Sequence, residues 1–285
     1  MTSLLHISDT HFGTETQPVA DALVRFAKEK KPQLLVLSGD ITQHARASQF
    51  QAAGRFIDRL DIAQRIVLPG NHDLPLLNLP ARLFWPLAVH RRTFGDLLEP
   101  IFESADLLVM GVNTTRWYRR CDGEVSRGQI ERIAHVLEHA SGNQLRVVVV
   151  HQPVVVTKPQ DQKHLLHGHA SAVQVWVHAG VDLILGGHVH LPYVVPLHRR
   201  FDDLPKTAWA VQAGTSVSSK TRPEAANSVN LIHYTGGKTR RSALVERWDY
   251  VAAQKRFQQI EGNELNFHDF APQPDARSDE EEFDE

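Results

Sequence analysis

Residues 33–73 read QLLVLSGDITQHARASQFQAAGRFIDRLDIAQRIVLPGNHD. The stretch opens on an apolar run, 33–38, that is short enough for a strand and stops at Gly39-Asp40. Over 48–60, Phe50, Ala53, Ile57 and Leu60 then recur at helical spacing, with Ser48 placed to cap the helix. A second apolar run, 65–69, stops at Gly70-Asn71-His72-Asp73. Strand, helix and strand in this order form a βαβ unit, and near-continuous hydrophobicity marks strands covered on both faces.

The same alternation extends outward. Further apolar runs occupy 3–8, 106–112, 146–150 and 182–186. A helix is expected over 18–30, where Val19, Leu23, Phe26 and Ala27 form a stripe and Pro18 suits the first turn. Another is expected over 127–138, with Ile130, Ile133 and Leu137 on one face and Ser126 and Gln129 spaced as a capping box. Together these predict an α/β protein with a mostly parallel sheet. Beyond about residue 190 the pattern changes to strand-like segments at 193–198, 207–212, 228–234 and 239–247, with a hairpin turn expected at Thr235-Gly236-Gly237-Lys238. This half reads as antiparallel or mixed, and is open to forming a second sheet.

The residues at the ends of the apolar runs carry the chemistry. The first run leads into Asp9-Thr10-His11, the second into Asp40, the third into Asn71-His72-Asp73, the fifth into His151 and the sixth into Gly187-His188-Val189-His190. In open α/β sheets, sites assemble beyond the carboxyl ends of strands. Carboxylates, imidazoles and an amide with no thiolate make a mixed oxygen and nitrogen donor set, suited to Mn, Fe or Zn rather than to Mg alone or Cu(I). The set is too large for one tetrahedral ion and about right for two ions sharing a carboxylate. Burying these ionisable groups together without a metal would be costly.

Composition narrows the rest. The chain has 285 residues, enough for one or two domains with a sizeable core. A net charge of −2 argues against a protein built to coat nucleic acid or an anionic membrane. A single cysteine, Cys121, excludes an internal disulfide framework and cysteine-rich metal sites. The start of the chain lacks a targeting pattern and no apolar run is long enough to span a bilayer, so a soluble, cytoplasmic protein is expected.

The ordered series D-x-H, G-D, G-N-H-D, H, G-H-x-H over residues 3–191 resembles that of the calcineurin-like metallophosphoesterases, and most closely the bacterial class III cyclic-nucleotide phosphodiesterases. The resemblance implies a four-layer αββα sandwich with two mixed β-sheets. It implies one metal on Asp9, His11, Asp40 and His190 and a second on Asp40, Asn71, His151 and His188, with Asp40 bridging. The cofactors would be two divalent or mixed-valence ions, Mn or Fe first and Zn as an alternative. It further implies hydrolysis of a phosphodiester by a hydroxide that the two ions generate from water. His72 would be the catalytic acid beside the ions, with Asp73 orienting it.

The same motifs serve other substrates: phosphomonoesters, glycerophosphodiesters, UDP-sugar lipids and nucleic acid, the last disfavoured by the charge. A non-catalytic binding scaffold is a further alternative, which the complete ligand set opposes. The expected partner is a small phosphate ester. The apolar stretch 74–89 is compatible with a homodimer, a lipid-facing cap or packing on the core. One catalytic domain is expected over 1–265, with 74–100 as a cap containing two helical pieces, and an acidic, disordered tail over 266–285. Arg116, Arg119 and Arg120 are as readily solvated as substrate-facing, and the hydroxyl-rich loop 214–222 is as readily a turn as a phosphate contact. His164, His167 and His169 are expected in a loop near the mouth of the site, with substrate contact as an alternative; His167 and His169 are spaced as a ligand pair but have no carboxylate companion nearby. His135 and His139 are expected at surface or satisfied polar positions.

Overall fold

The computed structural model describes residues 2–76, 78–236 and 241–270. In chain order the elements are β1 (Thr2–Ile7), α1 (Gln17–Lys30), β2 (Leu34–Leu37), α2 (Ala47–Arg59), β3 (Gln64–Val67), α3 (Leu79–Phe84), α4 (Ala88–Phe94), β4 (Ile101–Glu103), β5 (Leu107–Gly111), α5 (Arg127–Glu138), β6 (Leu145–Val149), α6 (His169–His178), β7 (Leu183–Gly186), β8 (Tyr193–Pro196), β9 (Trp209–Gln212), β10 (Ser228–Thr235), β11 (Arg241–Val251) and β12 (Arg256–Phe267). They form two six-stranded mixed sheets, ordered β12-β11-β10-β1-β2-β3 and β4-β5-β6-β7-β9-β8. The family expectation of two mixed sheets in four layers is met. The late strands do not form a sheet of their own, because β10 pairs antiparallel with β1 and β9 pairs parallel with β7.

The layering follows from the period of two along each strand. On β1, Leu5 and Ile7 face one apolar cluster with Val19, Leu23 and Phe50 of α1 and α2, while Leu4 faces another. On β2, Leu35 and Leu37 join the first cluster and Leu34 and Val36 the second. That second cluster lies between the sheets and includes Val147, Val149, Leu183 and Leu185 from the opposite sheet. A third cluster packs Ile130, Ile133 and Leu137 of α5 and Val173, Trp176 and Val177 of α6 on the far face. Each large side chain so buried contributes about 1.5–3 kcal/mol. The continuous apolar runs exist because both faces of both sheets are covered.

Several boundaries differ from the sequence reading. Helix α2 starts at Ala47 with Arg46 at its cap, not Ser48, because Gln49 Oε1 accepts from His44 N at 3.0 Å and draws the first turn forward. The expected domain boundary at 265 falls inside β12, and residues beyond it stay tied down: Thr207 N donates to His268 O at 3.0 Å and Phe270 N to Pro205 O at 2.7 Å. The tail over 275–285, and Gly237 and Lys238 of the hairpin turn, lie outside the described residues.

The 74–100 excursion divides in two. Helix α4 packs on α2, where His90 is buried beside Phe50 and Phe94. Neither ring nitrogen of His90 has a hydrogen-bond partner, and burial pushes its pKa down to about 4. Helix α3 keeps Leu79, Phe84 and Trp85 exposed and is fastened to the 113–120 loop by Arg82, which donates to Trp117 O and Arg119 O, each at 2.7 Å. Among the described residues no helix is long and apolar enough to cross a membrane.

Candidate metal centre

The turns after β1, β2 and β3 of one sheet meet the turns after β6 and β7 of the other. Asp9, His11, Asp40, His188 and His190 all sit at positive φ, between 41° and 72°. That conformation is uncommon for residues with a side chain and concentrates at functional sites. It lets each strand end fold back and project its ligand atom without a longer loop. Gly39 (φ 111°) has no room for a side chain, since a Cβ there would lie 2.4 Å from His151 Nδ1. At Gly187 a Cβ would lie 1.8 Å from Ser8 Oγ and 2.6 Å from Asp9 Oδ2.

The ligand atoms fall into overlapping groups. Asp9, His11 and His190 form one, His11, Asp40 and His72 another, and Asp40, His151 and His188 a third, each within 4.8 Å. His190 Nε2 is 3.2 Å from Asp9 Oδ1 and 3.1 Å from His11 Nε2. Asp40 looks both ways, with Oδ2 3.7 Å from His11 Nε2 and Oδ1 3.3 Å from His151 Nε2. Asn71 Oδ1 lies 3.3 Å from the same His151 nitrogen.

Backbone carbonyls set the tautomers. His151 Nδ1 donates to Ser38 O at 2.8 Å, and His190 Nδ1 donates to Lys220 O. A neutral ring in either place therefore presents a bare Nε2. Around His151 this gives one nitrogen and two oxygens with only lone pairs between them. His188 Nδ1 and His11 Nδ1 are buried without a partner. Such an arrangement suits a cation. Burial alone would raise Asp40 and Asp9, but His151 holds Asp40 well below the usual carboxylate range and His190 holds Asp9 at about 2. Burial works against protonating His151 as well, yet Asp40 and Asp9 draw its pKa up to about 9. Burial drops His11 to about 4 and His188 to about 3, keeping both neutral with lone pairs free for a metal. The donor set thus fits metal ions.

His72 stands beside the group, its ring edge-on to His11 at a centroid distance of 4.8 Å. Asp73, expected to orient it, has other partners: Ile41 N, Thr42 N, Thr42 Oγ1 and Gly70 N donate to its carboxylate at 2.8–3.0 Å. It joins the Asp40 turn to the Asn71 turn, while the His72 ring is oriented by Gln43 O, which accepts from Nδ1 at 3.0 Å. Burial and the Asp40 charge push Asp73 up to about 6.

The sequence reading missed His164 as part of this assembly. His188 Nε2 lies 3.0 Å from His164 Nδ1, an arrangement that leaves His188 Nδ1 for the centre. The Asp161 carboxylate, in the same turn as His164, takes a two-pronged ion pair from Arg222 at 2.6 and 2.9 Å, which joins that turn to the loop carrying Lys220. The 214–222 hydroxyls are used internally: Ser216 Oγ donates to Ser8 O at 2.9 Å and Thr215 Oγ1 to Lys220 O at 3.2 Å. His167 does have a carboxylate companion, Asp122, at 2.7 Å. Arg119 pairs with Asp122 and Glu124, and Arg116 donates to Gln129 Oε1, so only Arg120 of that trio is exposed and without a partner among the described residues.

The family model for calcineurin-like phosphoesterases matches residues 2–192, and the chain belongs to that family. It is a metal-dependent hydrolase of phosphoric esters. Over 203 residues it is 26% identical to a probable cyclic nucleotide phosphodiesterase of Synechococcus sp., a match covering 67% of this chain and 74% of that protein. Its fold is similar to a dimetal phosphatase from Danio rerio, with a TM-score of 0.62 at 13% identity over 94% of this chain and 99% of that one. A purple acid phosphatase from yellow lupin (Lupinus luteus) seeds gives a TM-score of 0.70 at 11% identity over 93% of this chain, which spans 53% of that longer protein.

Proposed function

We propose that the chain hydrolyses a small phosphodiester, with a 3′,5′-cyclic nucleotide as the first substrate to test. The observation that carries this reading is Asp40, whose two oxygens face the His11 and His151 groups separately. Asp9, His11, Asp40 and His190 would hold one ion, and Asp40, Asn71, His151 and His188 the other. When bound, such a pair neutralises phosphate charge and supplies an activated water near neutral pH. The side chains do the rest. Ser38, Lys220 and Gln43 carbonyls fix three imidazoles, so the pocket is organised before substrate arrives. His72, with Nδ1 donating to Gln43 O, would protonate the leaving oxygen from Nε2 as the imidazolium, leaving the neutral ring behind. The likeness to the Synechococcus protein supports a cyclic nucleotide. The exposed Leu79, Phe84 and Trp85 favour a second reading, a phosphodiester with an apolar tail.

The test is turnover of bis-p-nitrophenyl phosphate with and without Mn2+, and then of a panel of cyclic nucleotides, glycerophosphodiesters, nucleotide-sugar lipids and single-stranded DNA. Asp40→Ala and Asn71→Ala are expected to abolish turnover. His72→Ala should keep the metal and lower kcat about 10²–10⁴-fold on substrates with poor leaving groups. No turnover with any divalent metal in a folded protein refutes the reading.

A further inference from the structure

The end of α5 carries a second cluster of ligand atoms, built from none of the residues of the centre above. His135, Glu138 and His139 each offer one ligand atom, and these atoms lie within 4.8 Å of one another. Their spacing of i, i+3 and i+4 puts them on one helical face. The two imidazole centroids are 4.4 Å apart. His139 Nδ1 donates to His135 O at 2.7 Å, one turn back along the same helix. That bond fixes the tautomer and leaves Nε2 bare, as the Ser38 carbonyl does for His151. All three residues are exposed, and Glu138 makes no ion pair among the described residues. A cavity of about 250 Å³, lined by Glu103, Leu108, His135 and His139, opens beside them.

We infer that His135, Glu138 and His139 bind one Zn2+ ion, with water completing its shell. Two imidazole nitrogens and a carboxylate oxygen are the donor set of open zinc sites, and imidazole disfavours Mg2+ and Ca2+. A tetrahedral ion with bonds of about 2.0–2.1 Å needs donor atoms roughly 3.4 Å apart. Exposed side chains reach that spacing by rotation alone, with the helix unmoved. The ion would clip the last turn of α5, where the final carbonyls lack intrahelical partners.

The experiment compares wild type with His135→Ala/His139→Ala, each first loaded with Mn2+ and then dialysed against micromolar Zn2+. Exchange at the other centre is common to both proteins, so the difference in bound zinc counts this site alone. Wild type should retain one Zn2+ more per chain, and its melting temperature should rise on adding Zn2+ by more than that of the variant. Turnover of bis-p-nitrophenyl phosphate in Mn2+ should be the same in both. Without zinc, equal melting temperatures establish that both are folded. Equal zinc retention by the two proteins overturns the inference.

Discussion

At the scale of single residues, the centre depends on missing side chains as much as on its ligands. Gly187 lets the turn after β7 lie against Asp9, and the structure leaves 1.8 Å between an added Cβ and Ser8 Oγ. Gly187→Ala must therefore push the His188 and His190 turn away from the opposite sheet. Displacement of about 1 Å at a reacting centre costs on the order of 10²-fold in rate. The variant is expected to lose activity by about that factor together with bound Mn2+, measured by elemental analysis of the purified protein. Wild-type metal content and rate would mean that the turn yields freely. The glycines and the polar strand ends were legible in the sequence because each is a side-chain signal at a marked place. The carbonyls of Ser38, Gln43 and Lys220 were not, since every residue has one and only the folded chain selects which is used.

At the scale of elements, the buried apolar strands were readable, and the half-exposed strand at the end of the chain and a valine-rich helix were not. Strand β12 buries only Phe257 and Leu265 of its length, and its polar run reads as a loop until β11 supplies its hydrogen-bonding partner. Helix α6 is rich in valine, a weak helix former, and is held by packing of Val173, Trp176 and Val177 rather than by propensity. Between elements, the Asp161–Arg222 pair aligns the His164 turn with the Lys220 loop. Asp161 is buried, so Arg222→Ala strands a carboxylate and should cost about 3 kcal/mol in chemical denaturation. It should also lower kcat, because both segments carry partners of site histidines. Arg222→Lys restores the charge without the fork, so partial recovery of both quantities is expected. An Arg222→Ala enzyme of full stability and rate would remove the pair from this role.

At the scale of the whole molecule, stability and chemistry respond to acid through different groups. His90 has a folded pKa of about 4 against an ordinary value of 6.5, because burial disfavours its charged form. Below pH 6.5 the unfolded chain binds a proton that the folded chain refuses, so this residue's contribution is intact above 6.5 and is lost as the pH falls towards 4. The loss amounts to about 3 kcal/mol over that window. His90→Leu should flatten this part of the stability profile in urea titrations from about pH 7 to 4, with no change in turnover near neutral pH. A parallel profile for the variant would locate the acid sensitivity elsewhere. The ligands have a further consequence for synthesis. Asp9, Asp40 and Asn71 follow strands of one sheet and His151, His188 and His190 follow strands of the other, so on the proposed ligand set neither half of the pocket functions alone. A growing polypeptide on the ribosome is thus expected to be chemically silent until its distal portion has emerged and docked.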